Sequence, residues 1–266
     1  MELTNENYHS VEARKEYMGS SQFKDFLKCE KKALARVNGE IKDEKTPALL
    51  MGSYIDAYFS GELEQFKKDN PEIFNSKTGT LKADYQKCDA IIKFIEEDEK
   101  LMSALSGEHQ KIMTGTIAGV PFKIKIDSYI PDRFIVDQKI VKDFKPIWDD
   151  QEHCKKNFVD YWGYTIQGAI YREIVKQNTG KTLPFILAVT TKEDTPRKAL
   201  LKIDSEDLDE ALAEVIRLAP RFQKIKNGEI EPEECGICDY CLARKKVSKI
   251  ESYHVFDPYQ ENEEEE

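Results

Sequence analysis

The 266-residue sequence predicts a mixed α/β domain, with one central sheet and helices packed on its faces. Three observations predict this fold class. Helical patterns fill the chain as far as Gly107, short β-rich segments follow, and a helix, two strands and a long helix complete the order. No internal repeat and no linker divides the chain. We therefore expect one domain over residues 1–258, with a helical part at about 1–106, a core at about 107–258, and a disordered acidic tail at 259–266.

The N-terminal part carries three predicted helices, at 20–38, 46–66 and 82–105. In the first, Phe23, Phe26 and Leu27 lie near one stripe, and the serines before it can accept hydrogen bonds from free amides. The second is mostly apolar, so we expect it to be buried. These patterns predict helices that cover part of the sheet.

The β-rich segments predict strands at 110–117, 120–130 and 133–140. Ala118-Gly119 marks the first turn and Pro131-Asp132 the second, so the three strands should form an antiparallel meander. The later elements are a helix at 157–177, a strand at 183–193, a strand in ALLKIDSE, and a helix at 206–226 capped by Ser205. The whole order predicts a mixed sheet.

The charge and composition restrict the class of protein. The formal net charge of -10 argues against a protein that coats nucleic acid non-specifically. The final ENEEEE supplies five of those negative charges, so a local basic groove for DNA remains compatible with the sequence. No apolar run is long enough for a membrane span and no secretory signal is visible, so we expect a cytoplasmic protein without a membrane partner.

Two acids and a lysine stand inside an apolar hairpin, in the segment KIKIDSYIPDRFIVDQKI. Asp127 ends one β-rich run, and Asp137 and Lys139 follow in the next. Residues i and i+2 of a strand project from the same face, so Asp137 and Lys139 should point together. Burial of such charges is costly unless they are paired or hold a cation.

Hydrolysis of a phosphodiester would explain this pattern. Two carboxylates offer the oxygen ligands that Mg²⁺ (or Mn²⁺) prefers, and the carbonyl of Gln138 is a further candidate ligand. Lys139 would orient or deprotonate the attacking water and stabilise negative charge in the transition state. The alternative is an ordinary surface pair on an edge strand, since an acid-x-lysine tripeptide is common by chance.

Several segments, in order along the chain, resemble the PD-(D/E)xK nuclease superfamily. The similar segments are KIKIDS at Asp127, DQK ten residues later, MGSYIDAYFSG upstream, and YTIQGAIYREI downstream. The likeness is greatest to phage-type exonucleases of the exodeoxyribonuclease VIII type and extends over nearly the whole chain. It implies a restriction-endonuclease-like core.

The resemblance also implies the roles of individual residues. Asp127, Asp137 and Lys139 would be the catalytic core. Gln167 and Tyr171 match the Q-x-x-x-Y helix of the exonuclease branch and would touch DNA or orient catalytic groups. The alternative for this pair is a helix face that packs on the sheet.

Two further acids enter through the same resemblance. Glu108 lies where these exonucleases often carry an acid before the hairpin, although a solvated residue in the Gly107 turn is an alternative. Asp56 stands where relatives often place a histidine, and it could contact a metal or water. We therefore include both in the predicted site.

Three cysteines close to the C-terminus form a C-x₂-C-x₂-C pattern, which indicates bound metal because three thiolates this close seldom occur without one. They are Cys235, Cys238 and Cys241. Some related nucleases close an iron–sulfur cluster with one early cysteine, and Cys29 stands at that place. The resemblance thus implies a structural [4Fe–4S] site on these four residues, with zinc or free thiols as the alternatives.

The function predicted is a metal-dependent DNA exonuclease that resects duplex DNA in phage or prophage recombination. The resemblance also implies a single-strand annealing protein as partner and a homo-oligomeric assembly. Two alternatives are a single-strand-specific iron–sulfur nuclease of the CRISPR-associated or helicase-associated type, and a DNA-binding module whose nuclease site has decayed.

Overall fold

A five-stranded mixed sheet lies at the centre of the protein, which we describe from a computed structural model over residues 1–41, 45–250 and 252–256. The strands are β1 (Glu108–Ile117), β2 (Val120–Ile130), β3 (Phe134–Val141), β4 (Ile147–Asp149), β5 (Cys154–Lys156), β6 (Phe185–Thr191) and β7 (Lys198–Lys202). β4 and β5 pair with each other, apart from the main sheet. The acidic tail predicted at 259–266 lies outside the described residues.

The main sheet has the order β1-β2-β3-β6-β7. β1, β2 and β3 form the predicted antiparallel meander, and β6 then lies parallel to β3 while β7 is antiparallel to β6. A parallel neighbour requires a crossover connection, and the chain between β3 and β6 supplies it with a helix. The predicted fold class is confirmed.

The helices cover both faces of this sheet. Their bounds are α1 (Val11–Glu16), α2 (Ser20–Lys28), α3 (Glu30–Val37), α4 (Pro47–Phe59), α5 (Leu63–Asp69), α6 (Ala83–Glu96), α7 (Glu99–Ala104), α8 (Phe158–Tyr161), α9 (Tyr164–Thr179), α10 (Ser205–Lys226) and α11 (Asp239–Leu242). Among the described residues, none of these helices has the length and apolar character that crossing a bilayer demands.

The structure divides each helix predicted at 20–38, 46–66, 82–105 and 157–177 into two. Cys29 is extended at the first break (φ −165°, ψ 106°), and Gly61 is left-handed at the second (φ 77°). Asp98 makes the third break by accepting hydrogen bonds from the first amides of α7. Gly163 makes the fourth in left-handed backbone. The predicted Ser205 cap was also wrong, because α10 begins at Ser205 and Asp204 occupies the cap position.

Two hydrophobic clusters form the core, one on each face of the sheet. α2, α3, α9 and α10 build one of them around Phe122, Phe185 and Phe222. α4, α6 and α7 build the other around Tyr54. Since side chains alternate along β3, residues 135, 137, 139 and 141 share the face that α9 covers.

Gly168 permits α9 to approach the sheet closely. A Cβ at this position would lie 2.7 Å from Cδ1 of Phe185 and 2.8 Å from Cδ2 of Leu208. We expect Gly168→Ala to lower the free energy of unfolding by about 1–3 kcal/mol, because the added methyl overpacks the core. Urea denaturation measures this change.

Gly52 provides the matched control, since it is also helical and a Cβ there would meet nothing within 4 Å. Gly52→Ala should raise the free energy of unfolding by up to about 1 kcal/mol, through the better helix propensity of alanine. Equal effects of the two substitutions would contradict the close approach of α9.

Lys226 makes the stability of the protein depend on pH. Its ammonium donates to Tyr17 O (3.1 Å) and Gln22 Oε1 (3.2 Å), and burial together with the charge of Lys123 lowers its pKa to about 7. The unfolded chain keeps this proton up to about the ordinary lysine pKa of 10.5, so it binds more protons than the folded chain above pH 7.

The free energy of unfolding of the wild type should therefore rise from pH 7 to pH 9, relative to Lys226→Met, by about 1–2 kcal/mol. Lys224→Met, an exposed position on the same helix, should follow the wild type at both pH values. Parallel pH profiles for wild type and Lys226→Met would show that Lys226 keeps its proton in the folded protein.

Candidate active site

The two predicted acids meet where β2 and β3 separate. The ladder between these strands ends at the pair Ser128 and Val136. One residue further, Asp127 and Asp137 stand opposite each other, and Oδ2 of Asp127 accepts a hydrogen bond from the amide of Gln138 at 2.8 Å. A side-chain carboxylate thus accepts from the amide just beyond the point where the ladder stops, and the two acids share one face.

Lys139 joins this pair as predicted. Its ammonium forms an ion pair with Oδ2 of Asp137 and lies 5.0 Å from the centre of the Tyr164 ring. Burial acts to lower the pKa of Lys139, but the charges of Asp137 and Asp127 outweigh burial and raise that pKa above its usual value. Lys139 is therefore a cation here, on the same face as both acids.

Helix α9 fixes the carboxylate of Asp137. Gln167 is buried and donates to Oδ1 of Asp137 at 2.6 Å. One helical turn later, the hydroxyl of Tyr171 donates to the backbone carbonyl of Lys125 at 2.9 Å. The two residues of the Q-x-x-x-Y pattern both face the site, but only Gln167 contacts a predicted catalytic residue directly.

Asp56 approaches the same cluster from α4. It accepts hydrogen bonds from Nε2 of Gln110 at 3.2 and 3.4 Å. Burial raises the pKa of Asp56, the charge of Lys125 opposes this, and the charge of Asp137 adds to it. For Asp127, burial raises the pKa well above its usual value, and the charges of Asp137 and Asp56 raise it further. Mutual repulsion of this kind favours a bound cation.

Glu108 was predicted to join the acids, but it lies away from them. Its carboxylate is exposed and pairs with Lys111 at 2.8 Å. The buried Gln110, two residues later, contacts Asp56 instead, from left-handed backbone (φ 52°). The sequence does not identify Gln110 as a site residue, because a lone glutamine at the start of a strand gives no signal.

A basic cavity of about 360 Å³ lies beside Lys139. Its cationic lining consists of Arg14, Lys24, Arg36, Lys123, Lys125 and Lys139. Tyr8 closes one side, since its backbone carbonyl accepts from Lys123 and its ring lies 4.5 Å from the same ammonium. The sequence did not reveal this cavity, although Lys123 and Lys125 stand four and two residues before Asp127 on β2.

Lys24 reaches the cavity from α2. Its ammonium donates to the carbonyl of Trp162 at 3.0 Å, and burial together with the charge of Lys139 lowers its pKa to about 8. A half-buried cation next to Lys139 costs free energy, and a bound anionic ligand would offset that cost. No sequence pattern marks this residue, because only the packing of α2 brings it to the site.

The four cysteines of the predicted metal centre also come together. Their Sγ atoms all lie within 4.8 Å of one another. Cys29 stands at the break between α2 and α3, and the other three lie around α11. Within the described part of the chain, no other group of three or more His, Cys, Asp or Glu ligand atoms is gathered this closely.

The fold and the acid–lysine geometry define a nuclease of the PD-(D/E)xK superfamily. The family model described as "PDDEXK-like domain of unknown function (DUF3799)" matches residues 19–244, and the chain belongs to this family. A crystal structure of a "Putative exonuclease" from Eubacterium rectale is similar, with 46% sequence identity and a TM-score of 0.90 over 97% of this chain and 99% of that one. No curated protein matches the chain. The predicted superfamily is confirmed.

Lys24 should contribute to nuclease activity. We expect Lys24→Met to lower kcat/KM roughly tenfold, since it removes one charge-assisted contact to an anionic substrate. Initial rates of nucleotide release at several substrate concentrations measure the loss. The matched control is Lys28→Met, one turn further along α2 and exposed, which should behave as the wild type. An equal loss in both variants would mean that α2 as a whole, rather than Lys24, had been disturbed.

Proposed function

We propose that this chain is a divalent-metal-dependent DNA exonuclease. The main observation in support is that Asp127, Asp137 and Lys139 lie together on one face of the sheet, beside a cavity lined with cations. Its membership of a PDDEXK-like family and its 46% identity to a protein named as an exonuclease support hydrolysis of phosphodiester bonds.

The donor set fits Mg²⁺ or Mn²⁺. Oδ2 of Asp137 is buried and paired with the ammonium of Lys139, and a carboxylate oxygen in such a pair keeps a further lone pair that a metal ion can accept. Asp127 and Asp137 would hold the ion, with the carbonyl of Gln138 and the carboxylate of Asp56 as further ligands, and Mg²⁺ commonly binds through one or two carboxylates and several waters. When bound, the ion would polarise the phosphoryl group and favour ionisation of the attacking water.

The protein's own groups supply orientation and charge. Lys139 would stabilise negative charge that develops on the phosphate and would orient the nucleophilic water. Gln167 would keep Asp137 in place, and Tyr171 would keep β2 at its distance from α9 through the carbonyl of Lys125. Such positioning contributes much of the rate enhancement, because small displacements of the reacting groups lower the reaction rate by large factors.

We further propose that the substrate is duplex DNA, of which one strand is removed during phage or prophage recombination. The resemblance to exonucleases of the exodeoxyribonuclease VIII type supports this, together with a single-strand annealing protein as partner and a homo-oligomeric assembly. The cations of the cavity would contact the phosphate backbone locally, which is compatible with a net charge of -10.

End-labelled linear duplex DNA tests the proposal. Nucleotide release should require Mg²⁺ or Mn²⁺, stop with EDTA, and fall at least about 100-fold in Lys139→Ala, since a transition-state charge loses its counter-charge. Lys142→Ala, an exposed lysine just after β3, is the matched control and should keep wild-type activity. Equal release in wild type, Lys139→Ala and EDTA would refute the catalytic site.

Two further substrates decide the mode of attack. Covalently closed circular DNA should remain intact, because an exonuclease requires an end. Linear single-stranded DNA should be degraded more slowly than the duplex if the enzyme resects duplex ends. Faster degradation of the single strand would instead favour the single-strand-specific alternative.

A further inference from the structure

Four cysteine thiols outside the acid cluster bring together two segments that are far apart in the sequence. Cys29 and Cys241 are buried, with their Sγ atoms 3.5 Å apart, and Sγ of Cys235 lies 3.9 Å from that of Cys241. Cys238 completes a group in which all Sγ atoms lie within 4.8 Å of one another. Four thiols converge here from segments about 200 residues apart, so the arrangement is a property of the tertiary fold.

We propose that these four thiolates bind a single Zn²⁺ ion. A tetrahedral zinc site with Zn–S bonds near 2.3 Å places its sulfurs about 3.8 Å from one another. The two separations of 3.5 and 3.9 Å lie on either side of that value. All four positions around the ion would be filled by protein, as in structural zinc sites, with no position left for substrate.

The iron–sulfur cluster implied by the resemblance fits these distances poorly. In a [4Fe–4S] cluster each cysteine binds a different iron at the corner of a cube, which spreads the four sulfurs to roughly 6 Å from one another. Here all four lie within 4.8 Å. The space between the thiols suits one ion rather than four irons with their bridging sulfides.

The local backbone also suits a compact thiolate site. Gly236 is left-handed (φ 72°), which turns the chain back after Cys235, and the amide of Cys238 approaches Sγ of Cys235 at 3.4 Å. An amide that donates to a thiolate stabilises its negative charge. Lys28 and Lys32 line a small cavity with Cys29 and Cys238, so cations lie close to a site whose net charge would be negative.

Other contacts hold the same two segments together. Arg221 binds both carboxylate oxygens of Glu30 at 2.7 and 2.9 Å, and the amide of Glu233 donates to Glu30 at 2.8 Å. The amide of Lys31 also donates to the carbonyl of Glu233 at 3.1 Å. Substitution of one cysteine should therefore remove the ion without separating the segments completely.

The test is a metal analysis of the full chain, produced with both iron and zinc supplied and purified without oxygen. We expect one zinc per chain, no iron, no acid-labile sulfide and no visible colour. Cys241→Ser should lose the zinc, whereas Cys154→Ser, at an exposed cysteine outside the group, should keep it. Iron with labile sulfide, or a chain that is free of metal and has four reactive thiols at this site, would overturn the proposal.

Replacement of the ion by Co²⁺ gives a second measurement that needs no variant. Tetrahedral thiolate coordination should produce intense visible d–d bands together with sulfur-to-cobalt charge transfer. Weak bands typical of octahedral cobalt would contradict the four-thiolate geometry. Neither measurement uses DNA cleavage, so the outcome is independent of the proposed nuclease activity.

Discussion

The buried carboxylate of Asp137 is the group on which the geometry of the active site depends. Only 2% of this residue is exposed, and a buried charge of this kind is costly unless it is compensated. Lys139 compensates it from the same strand and Gln167 from helix α9. The compensation works only if α9 lies close to the sheet, which Gly168 permits. The packing of the core and the positioning of Asp137 therefore both require α9 to lie close to the sheet.

The sequence predicted the centre of the site because its geometry is local. A turn at Pro131 pairs β2 with β3, and the two-residue period of a strand puts Asp137 and Lys139 on one face. Both facts depend on residues close together in the chain. Lys123 and Lys125 lie on the same strand, four and two residues before Asp127, so the cations nearest the first acid are also local in the sequence.

The sequence could not predict the residues that arrive from other elements. Gln110 contacts Asp56 across an interval of 54 residues, and that contact depends on where α4 packs. Glu108, the acid expected from the resemblance, is exposed and paired with Lys111, while Gln110 contacts Asp56 from left-handed backbone. The sequence does not identify Lys24 as a site residue either, because the apolar stripe of its helix does not determine which surface the helix packs against.

The break at Cys29 has a consequence for how this part of the molecule acquires its shape. The pattern of residues 20–38 favours one straight helix, yet the folded chain bends there and places a sulfur at the bend. The helical preference of these residues thus differs from the extended backbone at Cys29. Contacts with the C-terminal segment, such as that between Cys29 and Cys241, accompany the extended conformation. A peptide cut from this region would lack those partners, so it should not keep the bend that the folded chain has at Cys29.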